Sequence, residues 1–191
     1  DGDELFNRGD VNKVFENSKS IIEAAYETPY QAHATMEPMN AIVRVTDNDA
    51  EFWGSTQNPN GLRTFLSKTY QIPENKVKIN YTFMGGGFGR RSSTDVAEEA
   101  ADLSKQSGVP VKVVWTREDD LTQGPFRACS LNVCRAVLDA YGKITAFEHK
   151  VIAQEIVNQS GPNMKAGRQI MGGINTGYTI PNMSVRGVLR K

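Results

Sequence analysis

The sequence predicts an α+β fold of two layers, in which helices cover one face of a mixed β-sheet. Two strand-like segments joined by a short turn come first, and each of the two helical segments that follow leads into a further strand. Residues 41–115 therefore have the order β-β-α-β-α-β. A second hairpin after residue 128 resembles the start of another such unit. Because a hairpin opens each unit, this class fits better than the doubly wound parallel sheet of a Rossmann fold.

The first hairpin and the first helix are marked by strand-forming residues and by a capping signal. Residues 41–45 and 50–54 flank an Asp-Asn-Asp turn, which predicts a hairpin. Thr56 or Asn58 can cap the helix that follows, and Pro59 suits its first turn. The apolar stripe of this helix consists of Leu62, Phe65, Leu66 and Tyr70.

A second strand and a second helix lie on either side of a glycine-rich run. Residues 76–83 are predicted to form the strand. The helix is expected to open near Asp95, with Asp95 and Glu98 as a pair resembling a capping box. Its alanine-rich face permits close approach to a sheet, and Gly108 provides its C-terminal stop. A strand over 111–115 then completes the unit.

The domain organisation follows from this pass along the chain. We expect residues 1–30 to form a polar entry helix and linker, 31–128 to form the first β-β-α-β-α-β unit, and 129–191 to start a second, truncated unit. The predicted strands of the last segment are 130–138, 144–156 and 185–189. Because the helices of the second unit are missing, the chain is expected to be a fragment of a longer protein.

Composition excludes several classes of protein. The 191 residues include 22 Lys and Arg and 22 Asp and Glu, which balance to zero net charge and argue against a broad surface for nucleic acid or anionic lipid. Cys129 and Cys134 are five apart in a predicted strand, so they should face opposite ways, and we expect neither a disulfide nor a metal site there. No apolar run reaches the length of a membrane span. The first residues lack the features of a signal peptide, and a cytoplasmic and an exported, periplasmic location are both left open.

The most informative segment is the run Gly85-Gly86-Gly87-Phe88-Gly89-Arg90-Arg91. Between a strand and a helix, glycines let the main chain approach a ligand, and the helix N-terminus presents free N–H groups. Arg90 and Arg91 would add forked donors suited to phosphate oxygens. The run is not a Walker A loop, because it lacks the Gly-Lys-Ser/Thr element, and it is not a Rossmann fingerprint, because an arginine replaces the third glycine. From composition alone, a phosphate site and a glycine-rich turn packed against a sheet are equally open.

Four segments, in order along the chain, together resemble the motifs of one family. They are residues 30–40, which contain His-Ala-Thr-Met-Glu-Pro-Met-Asn; residues 52–59, Phe-Trp-Gly-Ser-Thr-Gln-Asn-Pro; the glycine run; and residues 115–120, Trp-Thr-Arg-Glu-Asp-Asp. They resemble the molybdopterin-binding large subunit of the xanthine dehydrogenase and aldehyde oxidase family. The sequences of these motifs are most similar to those of the isoquinoline 1-oxidoreductase β-subunit type, whose glycine loop ends in Arg-Arg. The resemblance covers roughly residues 26–160, and four ordered motifs are far more specific than one.

The resemblance implies an enzyme, a molybdopterin-dependent oxidoreductase that hydroxylates an aldehyde or an N-heterocycle with oxygen derived from water. Its cofactor would be molybdenum–molybdopterin, with or without a cytosine dinucleotide. The expected partners are a small [2Fe-2S] subunit that receives the electrons, the remaining domains of the same large subunit, and the small-molecule substrate. In such enzymes the protein holds the cofactor, orients the substrate and tunes charge.

The resemblance also implies which residues hold the cofactor. They are Gln57, Gly86, Gly87, Phe88, Gly89, Arg90 and Arg91. Gln57 matches the glutamine whose amide approaches the oxo group of the molybdenum. Phe88 matches the position at which the family places backbone and ring beside the metal, and an aromatic ring among glycines is costly to expose, so we expect it to be buried against a ligand or another domain. No residue of this chain is expected to ligate the metal directly.

Other residues of the motifs are assigned less direct roles. His33 and Glu37 are expected to form a structural hydrogen-bonded pair or to pack around the cofactor, and residues 117–120 are expected to be a solvated loop with a local ion pair. No catalytic residue is expected in this chain, because the family's base is a glutamate in a Gly-Glu-Pro-like motif that is absent here, so the isolated fragment should be inactive. Ser92 stands where xanthine-type members have a substrate-binding glutamate, so a purine substrate is not expected.

Two alternatives from other classes stay open at this point. The chain could be an anion- or nucleotide-binding module without redox chemistry, or a non-catalytic homologue kept for structure or assembly. The presence or loss of the Gly-Glu-Pro base in the full-length protein distinguishes these alternatives from the hydroxylase.

Overall fold

The computed structural model describes residues 2–154 and 171–190. The chain divides into two compact units: one is formed by Asp1–Gln31 together with Ala128–Lys191, and the other by Ala32–Arg127. The strands of the described residues are β1 (Asp3–Arg8), β2 (Ile22–Thr28), β3 (Asn40–Val45), β4 (Ala50–Gly54), β5 (Val77–Tyr81), β6 (Val111–Val114), β7 (Ser130–Leu138), β8 (Ile144–Gln154) and β9 (Asn182–Arg190). The helices are α1 (Val11–Glu16), α2 (Pro59–Tyr70), α3 (Asp95–Ser107), α4 (Arg117–Thr122) and α5 (Met171–Ile174), with 3-10 turns at Glu74–Lys76 and Arg90–Ser92.

The unit Ala32–Arg127 contains the predicted β-β-α-β-α-β order as β3-β4-α2-β5-α3-β6. Its sheet has the strand order β5-β4-β3-β6. The β4–β5 pair is parallel, whereas β3 is antiparallel to both β4 and β6. The predicted α+β class with a mixed sheet is therefore confirmed.

The core of this unit explains why the helices lie where they do. Along β3, Ala41, Val43 and Val45 are buried while the residues between them are half-buried, so one face of the strand points into the core. Helix α2 contributes Leu62 and Leu66 to the same core. Helix α3 packs with small side chains that allow close approach to the sheet, and its buried residues are Val96, Ala97, Ala100, Ala101 and Ser104.

The helix ends follow the sequence signals in part. Asn58 is the N-cap of α2, since its Oδ1 accepts the N–H of Gly61 at 3.1 Å. Gly108 ends α3 in the left-handed conformation at a φ of +72°, as predicted. The predicted pairing of Asp95 with Glu98 is wrong: Asp95 is the first residue of the helix, and its carboxylate accepts the N–H of Val96 at 2.9 Å.

The other unit is a sheet with the strand order β1-β9-β8-β7-β2. Strands β7 and β8 form the predicted hairpin, and β9 lies parallel to β8. Residues 155–156 of the predicted second strand lie outside the described residues. The last strand is present and longer than the predicted 185–189.

The expectation of a helix and linker over residues 1–30 is wrong. Among residues 2–30, only Val11–Glu16 is helical, while β1 pairs with β9 and β2 pairs with β7, both antiparallel. Strand pairing with partners more than a hundred residues away decides this segment, and local periodicity does not report such partners. The interpretation of 129–191 as the start of a second unit stays a prediction.

The longest helix within residues 2–154 and 171–190 is α3, with 13 residues, and none of the helices there could span a membrane.

Candidate functional site

The glycine loop, defined as residues 85–91, connects β5 to α3 in the unit Ala32–Arg127. Gly86 and Gly89 have φ values of +98° and +97°, which glycine adopts without steric penalty. Phe88 is also left-handed, at +51°, and a bulky residue in this region costs of order 1–3 kcal/mol, which other interactions must offset. Its carbonyl accepts a hydrogen bond from Arg127 Nη2 at 2.9 Å.

Side chains from the other motifs pack directly on the glycines of the loop. A Cβ atom at Gly87 would lie 2.6 Å from Gln57 Oε1, and one at Gly85 would lie 2.4 Å from Glu37 Cβ. Neither position can hold a larger residue without displacing the group that contacts it. The glycines at these two positions thus allow Gln57 and Glu37 to approach the main chain.

Gln57 is the predicted site residue that the loop fixes most clearly. Its side-chain Oε1 accepts the N–H of Gly89 at 3.0 Å, and its main-chain N–H donates to the carbonyl of Arg91 at 2.8 Å. Because the Gly89 N–H is a donor, it must pair with the oxygen of the Gln57 side-chain amide. The nitrogen of that amide therefore points away from Gly89. The side chain is exposed, and within the described part of the chain its nitrogen makes no hydrogen bond, which leaves it available as a donor.

The guanidinium groups of Arg90 and Arg91 point into the protein. Both residues are 1% exposed. Arg90 pairs with Asp95, with Nη2 to Oδ2 at 2.8 Å, and its Cζ lies 5.2 Å from the ring centre of Trp115. In this arrangement neither guanidinium faces solvent, where a phosphate could reach it. The expected contact of these residues with the cofactor is thereby restricted to their main chain, and it stays a prediction.

Glu37 and His33 do not form the expected pair with each other. The Glu37 carboxylate accepts the N–H of Gly85 at 2.7 Å and the amide of Asn40 at 2.8 Å. Partial burial acts to raise the pKa of Glu37, but these hydrogen bonds and the charge of Arg91 outweigh it and hold the pKa below its usual value.

His33 lies beneath the C-terminal half of the loop. Its Nε2 would be 3.8 Å from a Cβ placed on Gly89. Burial lowers the pKa of His33, and the charge of Arg127 acts in the same direction. Among the described residues, the buried Nδ1 of His33 has no hydrogen-bond partner. The lowered pKa favours the neutral imidazole, which agrees with a packing role.

The fourth motif is a short helix and not the expected solvated loop. Thr116 caps α4 through a capping box with Asp119. The expected ion pair is present, with Arg117 Nη1 2.8 Å from Asp120 Oδ2, but Asp120 is buried. The second nitrogen of Arg117 donates to the carbonyls of residues 35 and 36, at 2.5 and 3.0 Å. The first and fourth motifs are thus joined beside the glycine loop.

Apolar side chains near the loop are exposed in this unit. Phe83 is 103% exposed, Met36 is 87% exposed and Phe88 is 61% exposed. The expected burial of Phe88 is not provided by the unit Ala32–Arg127 itself and stays a prediction. Sequence reasoning did not single out Arg127, which holds the Phe88 carbonyl, because no motif includes it.

Among the described residues, no group of three His, Cys, Asp or Glu side chains is placed to hold a metal ion. The groups that this site offers to a ligand include the Gln57 amide nitrogen and the exposed ring of Phe88.

Comparisons with known proteins agree with the motifs. Residues 2–191 match the family described as the molybdopterin cofactor-binding domain. The chain is 36% identical over 154 residues to the beta subunit of isoquinoline 1-oxidoreductase from Brevundimonas diminuta, covering 79% of this chain and 19% of the relative. It is 32% identical over 151 residues to a protein of Bacillus subtilis named as part of a probable xanthine dehydrogenase, covering 78% and 20%.

Solved structures show the same fold at lower identity. Quinoline 2-oxidoreductase from Pseudomonas putida 86 has a TM-score of 0.76 at 20% identity, covering 99% of this chain and 25% of that protein. Aldehyde oxidoreductase from Desulfovibrio gigas has a TM-score of 0.77 at 18% identity, covering 97% and 20%. The chain spans about a fifth of the length of the curated relatives that it matches. A match over residues 2–191 shows that this chain belongs to the molybdopterin cofactor-binding domain family.

Proposed function

We propose that this chain supplies the glycine-loop side of a molybdenum–molybdopterin site in the large subunit of a molybdenum hydroxylase. The observation that carries the proposal is the pairing of Gln57 Oε1 with the N–H of Gly89. It turns the Gln57 amide nitrogen outward as a hydrogen-bond donor beside a loop of left-handed glycines. A donor of this kind suits an oxo or phosphate oxygen and needs no protein ligand to the metal.

The residues present fit such a group. Left-handed Gly86 and Gly89 shape the loop beside the Gln57 amide, and Phe88 offers an exposed ring on the same loop. A Cβ at Gly87 would fill the space that Gln57 occupies. We assign the cofactor to Gln57, to residues 86–89 and to the main chain of residues 90 and 91. The proposed group can carry a cytosine dinucleotide.

The bound cofactor would supply the redox centre for hydroxylation of an aldehyde or an N-heterocycle with oxygen derived from water. The residues of this chain would hold and orient that centre. The names of the relatives, an isoquinoline oxidoreductase and a probable xanthine dehydrogenase, support this class of activity. We further propose a small [2Fe-2S] subunit as electron acceptor and the remaining domains of the large subunit as the other wall of the site. Without those domains, the fragment alone would be inactive.

Metal and pterin analysis of the full-length protein tests the proposal. The protein is purified with its iron–sulfur partner from a host that makes the cofactor, as wild type and as Gln57→Ala and Phe88→Ala. Gln106→Ala, an exposed glutamine on α3, is the matched control. We expect molybdenum close to one per large subunit in the wild type and the control, and a reduced content in the two loop variants.

A wild-type protein without molybdenum or pterin would contradict the hydroxylase assignment. The glycine loop would then have to bind another anion or nucleotide, or serve assembly. Full molybdenum and pterin content in both loop variants would show that the protein binds the cofactor but that the side chains of Gln57 and Phe88 do not hold it.

A further inference from the structure

We propose that Glu37 and Arg91 are positioning residues, and that their ion pair fixes the glycine loop in its binding conformation before any cofactor arrives. Arg91 would therefore act through the loop and not as a ligand of phosphate. The role of this ion pair in cofactor binding rests on the proposed function, whereas its effect on the conformation of the loop does not. The pair links the first motif to the third.

The side chain of Arg91 reaches the beginning of the loop and the first motif together. Its Nε donates to the carbonyl of Gly86 at 2.9 Å, and its Nη2 donates to the carbonyl of Glu37 at 2.8 Å. The same Nη2 lies 3.2 Å from Glu37 Oε2. A planar guanidinium makes these contacts at fixed angles, whereas a lysine ammonium on a flexible stem cannot.

Glu37 holds the same end of the loop from the opposite side. Its N–H donates to the carbonyl of Gly85 at 3.1 Å, and its Oε2 accepts the N–H of Gly85 at 2.7 Å. Both polar groups of the Gly85 main chain are thereby bonded to one residue. Gly85 cannot shift without breaking at least one of these hydrogen bonds.

The main chain of Arg91 transmits this restraint to the far end of the loop. Its carbonyl accepts the N–H of Gln57 at 2.8 Å and the hydroxyl of Thr56 at 3.3 Å. Gln57 in turn accepts the N–H of Gly89. A displacement of Arg91 would therefore move Gln57 and release Gly89, although neither of those two residues contacts Glu37 in the hydrogen bonds described.

Burial makes the two charges depend on each other. The Arg91 side chain is 0% exposed and that of Glu37 is 29% exposed. In the described part of the chain, Arg91 Nη1 is buried and has no hydrogen-bond partner. Removing the carboxylate would leave a buried cation with even fewer partners, and such a change is more damaging than removing both charges together.

The test is amide hydrogen exchange in the full-length, cofactor-free protein. The variants are Glu37→Gln, Arg91→Lys and the double variant Glu37→Gln/Arg91→Lys, which combines the same two changes. The matched controls are Glu51→Gln and Arg44→Lys, which alter an ion pair of β3 and β4, Nη2 to Oε2 at 3.5 Å, in the same unit. The decisive signal is the amide of Gly89, because its own acceptor Gln57 is unchanged in every variant.

We expect the Gly89 amide to exchange at least about tenfold faster in both single variants, with unchanged exchange in the core strand β3. The double variant should show less acceleration than the product of the two single effects. The controls should leave Gly89 as in the wild type. Unchanged Gly89 exchange in folded Glu37→Gln and Arg91→Lys would overturn the proposal.

Cofactor retention separates this inference from the proposed function. If the protein binds the cofactor, the single variants should release the pterin faster than the controls do. Rapid release from Arg91→Lys with normal Gly89 exchange would make Arg91 a direct ligand and overturn the positioning role. If the wild type contains no cofactor at all, the exchange result still decides whether the pair positions the loop.

Discussion

At the scale of single residues, Phe88 combines a left-handed main chain with an exposed ring. The positive φ of +51° is unfavourable for a bulky residue, and the ring at 61% exposure gains little from burial in this unit. Strain of this kind persists where function requires it and the surroundings hold it. The hydrogen bond from Arg127 to the Phe88 carbonyl is one such restraint.

Phe88→Gly is therefore expected to keep or raise stability while it lowers cofactor content. Glycine relieves the left-handed strain, and we expect the free energy of unfolding to stay constant or to increase by about 1 kcal/mol. Denaturant unfolding and molybdenum analysis of the full-length protein measure the two effects. A loss of stability larger than about 1 kcal/mol would show that the ring contributes more to packing than its exposure indicates.

Gly87→Ala is expected to lower cofactor content by displacing Gln57. The new methyl group would lie 2.6 Å from Oε1, which accepts the Gly89 N–H. Gly177→Ala is the control, since a Cβ there would have no heavy atom of residues 2–154 or 171–190 within 4 Å. Pterin analysis of both variants measures the effect, and equal content in the two would contradict the role given to Gln57.

His33 and His149 predict how stability changes with pH. Burial lowers the pKa of both imidazoles below the ordinary 6.5. The unfolded chain then binds protons more readily than the folded one. The stability that these neutral histidines contribute is fully present above the unfolded pKa, and it is lost as the pH falls through the lower folded pKa.

His33→Asn should accordingly reduce the loss of stability that acidification from about pH 7.5 to about pH 5.5 produces. Urea unfolding of wild type and variant at both pH values measures the difference. The control is an exposed residue that does not titrate in this range, changed in Gln106→Asn. An identical pH dependence in wild type and His33→Asn would show that this imidazole is not shifted as described.

At the scale of elements, the sequence predicted those that local signals determine. A local turn signal follows the strand 130–138. This strand was found at the predicted residues, and it forms the predicted hairpin with β8. Helix α4 was expected to be a loop, because the charged residues of this segment were interpreted as solvent-exposed and its capping box was not recognised. Strands β1 and β2 were missed, since their partners β9 and β7 are distant in the chain.

The candidate site shows the same division between local and distant information. The glycine loop and Gln57 could be located from sequence motifs, because spacing and residue type carry that information. The direction of the arginines could not, since it depends on Glu37, Asp95 and Asp120, which only the folded chain brings to them. A pair of adjacent arginines after glycines therefore predicts a loop, and it does not predict which way the guanidiniums face.

Thr116→Ala is expected to destabilise α4 and the contact that it makes with the first motif. The hydroxyl accepts the N–H of Asp119 at 3.1 Å, and removing such a cap costs about 1 kcal/mol. Exchange of the α4 amides should rise while exchange in β3 stays constant. Thr116→Ser, which keeps the hydroxyl, is the control, and equal exchange in both variants would contradict the capping role.

At the scale of the whole molecule, the two units differ in how far apart in the chain their parts lie. One sheet joins residues 2–28 to strands beyond residue 130, with Asp3 opposite Gly187 and Ile22 opposite Ala136. Pairing over such distances in the chain is slow to form. The unit Ala32–Arg127 is continuous in sequence and contains both helices of its sheet and the glycine loop.

Residues 32–127 are therefore expected to fold when they are expressed alone. The buried cluster that includes Val43, Phe52 and Leu66 lies entirely within this segment, as do the ion pairs of the loop. Thermal or urea unfolding should show one cooperative transition, because a continuous core of this size supports a small domain. Phe52→Ala removes a side chain that is 2% exposed and should lower the free energy of unfolding by about 3–5 kcal/mol. A loss of this size should strongly lower the midpoint of the transition. A segment without a cooperative transition would show that this unit depends on the rest of the chain, and the loop geometry would then have to be studied in the full-length protein alone.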